Sequence, residues 1–160
     1  MLNVAPDRNG HFNTGIFYPQ NPNKVIKLND KGGLWYRSGW ELRVSKFLDT
    51  NPNVVRWGAE FFEINYIDIN GKSHRYYPDF YAEFRTDDPH TYKRMVMEVK
   101  PYKEVITPQP PKNSNHKALQ AYERSIAVYY KNAYKWQKAI EFCKNRGLEF
   151  FIITEKNLNI

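Results

Sequence analysis

Two short groups of residues carry the most chemistry in this chain: Pro78-Asp79 and, further on, Glu98-Val99-Lys100. Carboxylates at the ends of adjacent strands can hold one or two Mg²⁺ ions. A lysine two residues beyond the second carboxylate points to the same face of its strand. A hydrated Mg²⁺ activates water and neutralises charge on an attacked phosphate, while a nearby ammonium orients that water or stabilises the transition state. These residue types in this order therefore point to metal-dependent phosphodiester hydrolysis, the chemistry of a nuclease.

Each group alone is common, since Pro-Asp also marks ordinary turns and Glu-x-Lys is often a solvated strand face. Two features strengthen them. Pro78 cannot donate to a sheet ladder, which places Asp79 at a strand end or edge. Glu98 ends an otherwise apolar strand, where a carboxylate without a partner is costly and a metal would supply one. Glu41 has two readings. It completes a capping-box pattern with Ser38, or it projects toward the strand ends as a third carboxylate; spacing does not separate these. Other chemistries lack support. His74 and His116 have no metal-ligand spacing, and no Ser-His-Asp or Cys-His arrangement is evident. Cys143 lies on an apolar helical stripe, as a buried structural thiol would. No phosphate-cradling glycine loop is present, so ATP use is not implied.

The elements that must position these residues follow from pattern. Residues 1–33 are rich in Asn, Pro and Gly and read as an irregular N-terminal arm, with a short strand near Lys24-Leu28. Residues 34–160 read as one domain. A helix begins at Ser38, repeats Trp40, Val44, Phe47 and Leu48 on one side, and ends at Asn51-Pro52. Val54-Trp57 and Phe61-Ile67 are strand-like, Asn70-Gly71 signals a hairpin turn, and Arg75-Phe84 is extended. Lys93-Lys100 is apolar on both faces at its centre, which suits an internal strand. Residues 101–116 carry four prolines and read as a long loop. From Lys117 to Arg146 a stripe of Leu119, Tyr122, Ile126, Tyr129, Ala133, Trp136, Ile140 and Cys143 predicts a helix packed on a sheet. Gly147 stops it, and Leu148-Ile153 is a last strand. The order predicts an α/β fold with a mixed sheet flanked by helices.

Composition bounds the partners. The chain has 160 residues, enough for one core, and 24 Lys and Arg against 17 Asp and Glu give a net charge of +7. Together with 16% aromatics, this favours nucleic acid as the partner. The single cysteine excludes an internal disulfide and a thiolate zinc cluster. No apolar run approaches ~18 residues and no signal-peptide pattern is evident, so an intracellular origin without membrane association is expected. Arg37, Arg75, Lys103, Lys112 and Lys117 are the candidate DNA contacts, with Arg43, Lys131, Lys135, Lys138 and Lys144 as further basic positions.

With a helix glutamate, Pro-Asp, Glu-x-Lys and a following long helix in this order, the chain resembles the PD-(D/E)xK nuclease superfamily. The resemblance implies a restriction-endonuclease-like core and Mg²⁺-dependent cleavage, with Mn²⁺ as a substitute ion. Glu41, Asp79 and Glu98 would be the metal-binding carboxylates and Lys100 the catalytic lysine. A more specific likeness lies in Tyr36-Arg37-Ser38-Gly39-Trp40-Glu41, Asp49-Thr50-Asn51-Pro52-Asn53-Val54, Arg75-Tyr76-Tyr77-Pro78-Asp79-Phe80-Tyr81 and Glu98-Val99-Lys100-Pro101. It continues through Lys135-Trp136, Cys143, Asn145-Arg146-Gly147 and Thr154-Glu155-Lys156. Over roughly residues 35–160 the chain is similar to the head completion nucleases of T-even-type tailed phages. That likeness implies a nuclease acting on double-stranded DNA, endo- or exonucleolytic, with phage head and neck proteins as partners. The setting would be the virion or the host cytoplasm during assembly. Rival expectations are a transposase-subunit or junction-resolving endonuclease of the same superfamily, and a structural head protein that retains a nuclease fold.

Overall fold

The computed structural model of the chain describes residues 14–113 and 115–158. Among the described residues are eight strands: β1 (Gly15–Phe17), β2 (Leu34–Tyr36), β3 (Val54–Ala59), β4 (Ile64–Ile67), β5 (Ser73–Tyr76), β6 (Phe80–Arg85), β7 (Tyr92–Val99) and β8 (Glu149–Ile153). Three helices join them: α1 (Gly39–Thr50), α2 (Tyr102–Val105) and α3 (His116–Lys144). The central sheet has the order β3-β6-β7-β8. Its first two pairings are antiparallel and the β7–β8 pairing is parallel. A parallel pair needs a crossover, and the segment carrying α2 and α3 provides it. The mixed sheet flanked by helices is thus the arrangement the sequence pattern predicts.

Strand alternation assigns each helix its face. On one side Val44 and Leu48 of α1 pack with Trp57, Phe80, Ala82, Met97, Val99 and Ile153. On the other, Trp136, Ala139 and Cys143 of α3 pack with Tyr81, Val96, Phe150 and Ile152. The result is three layers with apolar packing on both sides of the sheet.

Several elements differ from their sequence expectation. The extended run Arg75-Phe84 is two strands. β5 pairs with β4 in a separate hairpin, while β6 enters the central sheet, and Tyr77-Pro78-Asp79 is the break. Proline's missing N–H explains why the ladder stops there. The strand expected at Phe61-Ile67 spans Ile64–Ile67, and the proline-rich loop contains α2. The helical stripe is only partly core. Buried positions on α3 are Asn132, Trp136, Ala139 and Cys143, whereas Ile140 is 53% exposed and Leu119 is exposed as well.

Of the expected N-terminal arm, residues 1–13 lie outside the described residues. From residue 14 onward the segment lies against the body. β1 pairs antiparallel with β2 and buries Phe17 in the α1-side core. The Asp49 carboxylate, fully buried, accepts from the backbone N–H of Gln20 (2.7 Å) and Asn21 (3.0 Å). The strand expected near Lys24-Leu28 is reduced to a single bridge between Val25 and Trp57.

Candidate active site

The register of the central sheet brings the two sequence groups together. Phe80 stands opposite Met97 on β6 and β7. One step beyond that pair, Asp79 comes next to Glu98, close enough for the Glu98 charge to act on it. Asp79 is pinned twice: the Glu60 N–H donates to its carbonyl (3.0 Å), and the Val99 N–H donates to its carboxylate Oδ2 (2.7 Å). The Pro78 break thus sets down a carboxylate at the mouth of the sheet rather than another ladder residue.

Glu98 is 2% exposed, and both its oxygens are engaged. The Tyr76 hydroxyl donates to Oε2 at 2.7 Å. Lys135 Nζ lies 3.1 Å and Lys100 Nζ 3.4 Å from Oε1. The Lys135 ammonium also sits over the Tyr76 ring, 4.4 Å from its centroid, a cation–π contact. Burial, with the Glu98 charge next, raises the Tyr76 phenol above its ordinary value, so it stays a hydrogen-bond donor. Burial lowers Lys100, but the charges of Glu98 and Asp79 outweigh it and hold the ammonium above its usual value.

Asp79 is the group without a full set of partners. Burial and then the Glu98 charge push its carboxyl up to about 7, with Glu41 adding to the rise and the Val99 hydrogen bond opposing it. Two carboxylates facing each other across adjacent strands repel. Both cationic side chains serve Glu98 Oε1, and Asp79 Oδ1 has no hydrogen bond among the described residues. A divalent cation would relieve that shortage. The donors fit one, because Mg²⁺ takes hard oxygen ligands and is commonly held by only one or two carboxylates with water completing the shell.

Glu41 shows the capping geometry. Its backbone N–H donates to Ser38 Oγ (3.1 Å), the Ser38 hydroxyl returns a bond to Oε1 (3.0 Å), and the Arg37 N–H donates to Oε2 (2.7 Å). Glu41 nevertheless lines a small cavity of about 20 Å³ together with Asp79, Trp35, Arg37, Ala59, Glu60 and Phe80. That volume admits about one water-sized species. Among the described residues, no three His, Cys, Asp or Glu side chains are grouped so as to hold a metal ion. Asp79 and Glu98 lie closest to one another, and Glu41, on the far side of the cavity it shares with Asp79, adds its charge to the rise of the Asp79 carboxyl.

Of the expected DNA contacts, one lines the Asp79 cavity and the others lie on separate elements. Arg37 is exposed at the cavity and pairs with Glu60 (2.5 Å). Arg75 lies on the outer side of β5, Lys103 on α2, Lys112 in the following loop and Lys117 in the first turn of α3, all exposed. None of these four forms a salt bridge among the described residues. Sequence reasoning missed Tyr76 and the contact Lys135 makes. Tyr76 could have been found by its place two residues before Pro78, at the end of a strand. Lys135 stood out only as one basic residue among several. Cys143 is buried as expected, and burial pushes its thiol up to about 11. A cleft of about 490 Å³ between the β4–β5 hairpin and α3 is lined by none of the candidate catalytic residues.

Residues 51–155 match the model of the TnsA-like endonuclease N-terminal domain, a match that contains Asp79, Glu98 and Lys100 but not Glu41. The chain is also 30% identical over 146 residues to the head completion nuclease of Enterobacteria phage T4, covering 91% of this chain and 93% of that protein. With its helix-flanked mixed sheet and carboxylates at the strand mouth, the chain belongs to the TnsA-like endonuclease family, and it is a nuclease of the restriction-endonuclease-like fold.

Proposed function

We propose that this chain is a Mg²⁺-dependent deoxyribonuclease acting on double-stranded DNA during phage head completion, so that filled heads can join tails. The observation that carries the chemistry is the cross-strand pair Asp79 and Glu98, short of positive charge at Asp79 and flanked by Lys100. The phage setting, with head and neck proteins as partners, rests on the relationship to the T4 protein along almost the whole of both chains.

In this reading Asp79 and Glu98 hold Mg²⁺ (Mn²⁺ substituting), and Glu41 adds negative potential from α1. Bound there, the ion would supply Lewis-acid activation of water and of the phosphate. Tyr76 and Lys135 fix the Glu98 carboxylate so that it does not swing with each turnover. Lys100, held cationic, acts as a hydrogen-bond donor that orients the attacking water rather than as a base. Arg37, Arg75, Lys103, Lys112 and Lys117 follow the phosphate backbone.

The deciding experiment is cleavage of linear and branched duplex DNA by wild type, Asp79→Ala and Lys100→Ala, with Mg²⁺ and with EDTA. Mg²⁺-dependent cutting should fall on the order of 100-fold or more in each variant, with the fold intact by circular dichroism. Asp79→Ala cutting at the wild-type rate would overturn the site. Preference for branched DNA would favour the second reading, a transposase-subunit or junction-resolving endonuclease, which the TnsA-like match supports. Accumulation of cut, linear products from circular substrate would establish an endonuclease, and attack restricted to ends an exonuclease.

A further inference from the structure

The β1–β2 ribbon beside the carboxylates turns an aromatic face to solvent. Phe17 and Leu34 point inward to the core. Trp35, opposite Ile16 in the register, points outward and is 62% exposed. Tyr18, one residue past β1, is 59% exposed. Extending the register sets Tyr18 opposite Gly33, which makes it the diagonal neighbour of Trp35 on the same face, at roughly 7–8 Å between backbones. Gly33 belongs to this arrangement. A Cβ there would collide with the Ile16 side chain and stand 3.3 Å from the Tyr18 ring, so only glycine lets both lie across the strand.

Three observations tie this face to the catalytic centre. Trp35 lines the same small cavity as Asp79 and Glu41. Arg37, two residues on, lines it as well and presents a guanidinium whose only salt bridge among the described residues is an exposed one to Glu60. Exposed pairs of that kind are weak and yield readily to phosphate. Solvent-facing aromatics beside a cationic group, at the mouth of a phosphodiesterase site, have the chemistry of a base-stacking platform. An intact duplex has its bases stacked inside and offers them only at an end or where the strands part.

Building on the DNA-nuclease reading, we propose that Trp35 and Tyr18 stack unpaired bases of the DNA strand entering the site, with Arg37 on its phosphate. The preferred substrate is thus a duplex with frayed or single-stranded nucleotides next to the cut. Trp35 and Tyr18 determine specificity; the reacting atoms are handled by Asp79, Glu98 and Lys100.

The platform has an optical signal independent of cleavage. Trp57 and Trp136 are buried and Trp40 is half-buried, which leaves Trp35 as the exposed indole. The experiment titrates tryptophan emission with a short single-stranded oligonucleotide in EDTA, for wild type, Trp35→Ala and Trp35→Phe. It then compares Mg²⁺-dependent kinetics on overhanging and blunt duplexes. Quenching should be seen in wild type and be lost in both variants. Trp35→Ala should raise KM for the overhanging substrate about tenfold while leaving kcat within about twofold, and Trp35→Phe should recover most of the affinity. Unchanged KM in Trp35→Ala, with wild type cutting normally, would overturn the platform and leave the nuclease reading standing. Quenching and Trp35-dependent binding without cleavage of any DNA would sustain the platform and count against the nuclease reading.

Discussion

Asp79, the carboxylate proposed to hold the metal, is placed where its own charge is unfavourable. Its carboxyl is pushed from an ordinary value of 3.8 up to about 7 by burial and by the facing Glu98. Between those values the folded state holds the proton more tightly than the unfolded chain. The stabilisation is complete below about pH 4 and is lost as the pH rises to about 7, above which ionised Asp79 burdens the fold. Asp79→Asn keeps an acceptor for the Val99 N–H and removes the charge. In EDTA it should exceed wild type by on the order of 2 kcal/mol at pH 8 and differ little at pH 4. Thermal melts at the two pH values read this directly. Equal melting temperatures at pH 8 would mean that Asp79 is not under electrostatic load.

At the scale of elements, α1 and α3 solve different problems. α1 is short and held at its start by the reciprocal Ser38–Glu41 cap, which also keeps the Glu41 carboxylate at the cavity. Ser38→Ala removes the acceptor for the Glu41 N–H and should cost about 1 kcal/mol. For a chain of this length that is a fall of about 3 °C in Tm. A variant with unchanged Tm would show the cap to be incidental. α3 spans 29 residues, about 43 Å of helix, against five to eight residues in the strands it crosses. Its buried residues begin only at Asn132, and Lys135 is delivered to Glu98 from this packed half. The preceding half extends past the sheet toward α2, carrying Lys117 at its start.

Across the whole molecule the excess of seven positive charges favours the proposed DNA substrate. Each phosphate contact releases counterions, so affinity must fall with salt. Three contacts imply roughly a 40-fold loss between 50 and 200 mM NaCl. Replacing Lys103, Lys112 and Lys117 together by Gln should flatten that dependence and weaken all sequences alike. Binding by fluorescence anisotropy over a salt series measures it, and an unchanged slope in the triple variant would move the backbone track elsewhere.

Much of this could be read before any coordinates. Ser38 with Glu41, Asn51-Pro52, Asn70-Gly71 and Gly147 mark element ends through local backbone chemistry, which needs no tertiary context. The apolar centre of β7 and the order of helix, strands, helix and strand specified the mixed sheet. Glu98 and Lys100 share a face because a strand repeats every two residues. The tertiary structure decided what depends on contacts distant in sequence. Register between β6 and β7 set Asp79 against Glu98, and α3 brought Lys135 across the sheet. Tyr76, in a hairpin outside the central sheet, closed on the same carboxylate. That the Glu41 oxygens take the capping bonds while the same side chain lines the cavity beside Asp79 was likewise visible only in the tertiary structure. Periodicity describes one element at a time; which side chains meet depends on how elements pack, and a shift of one residue in register would turn every one of them to the opposite face.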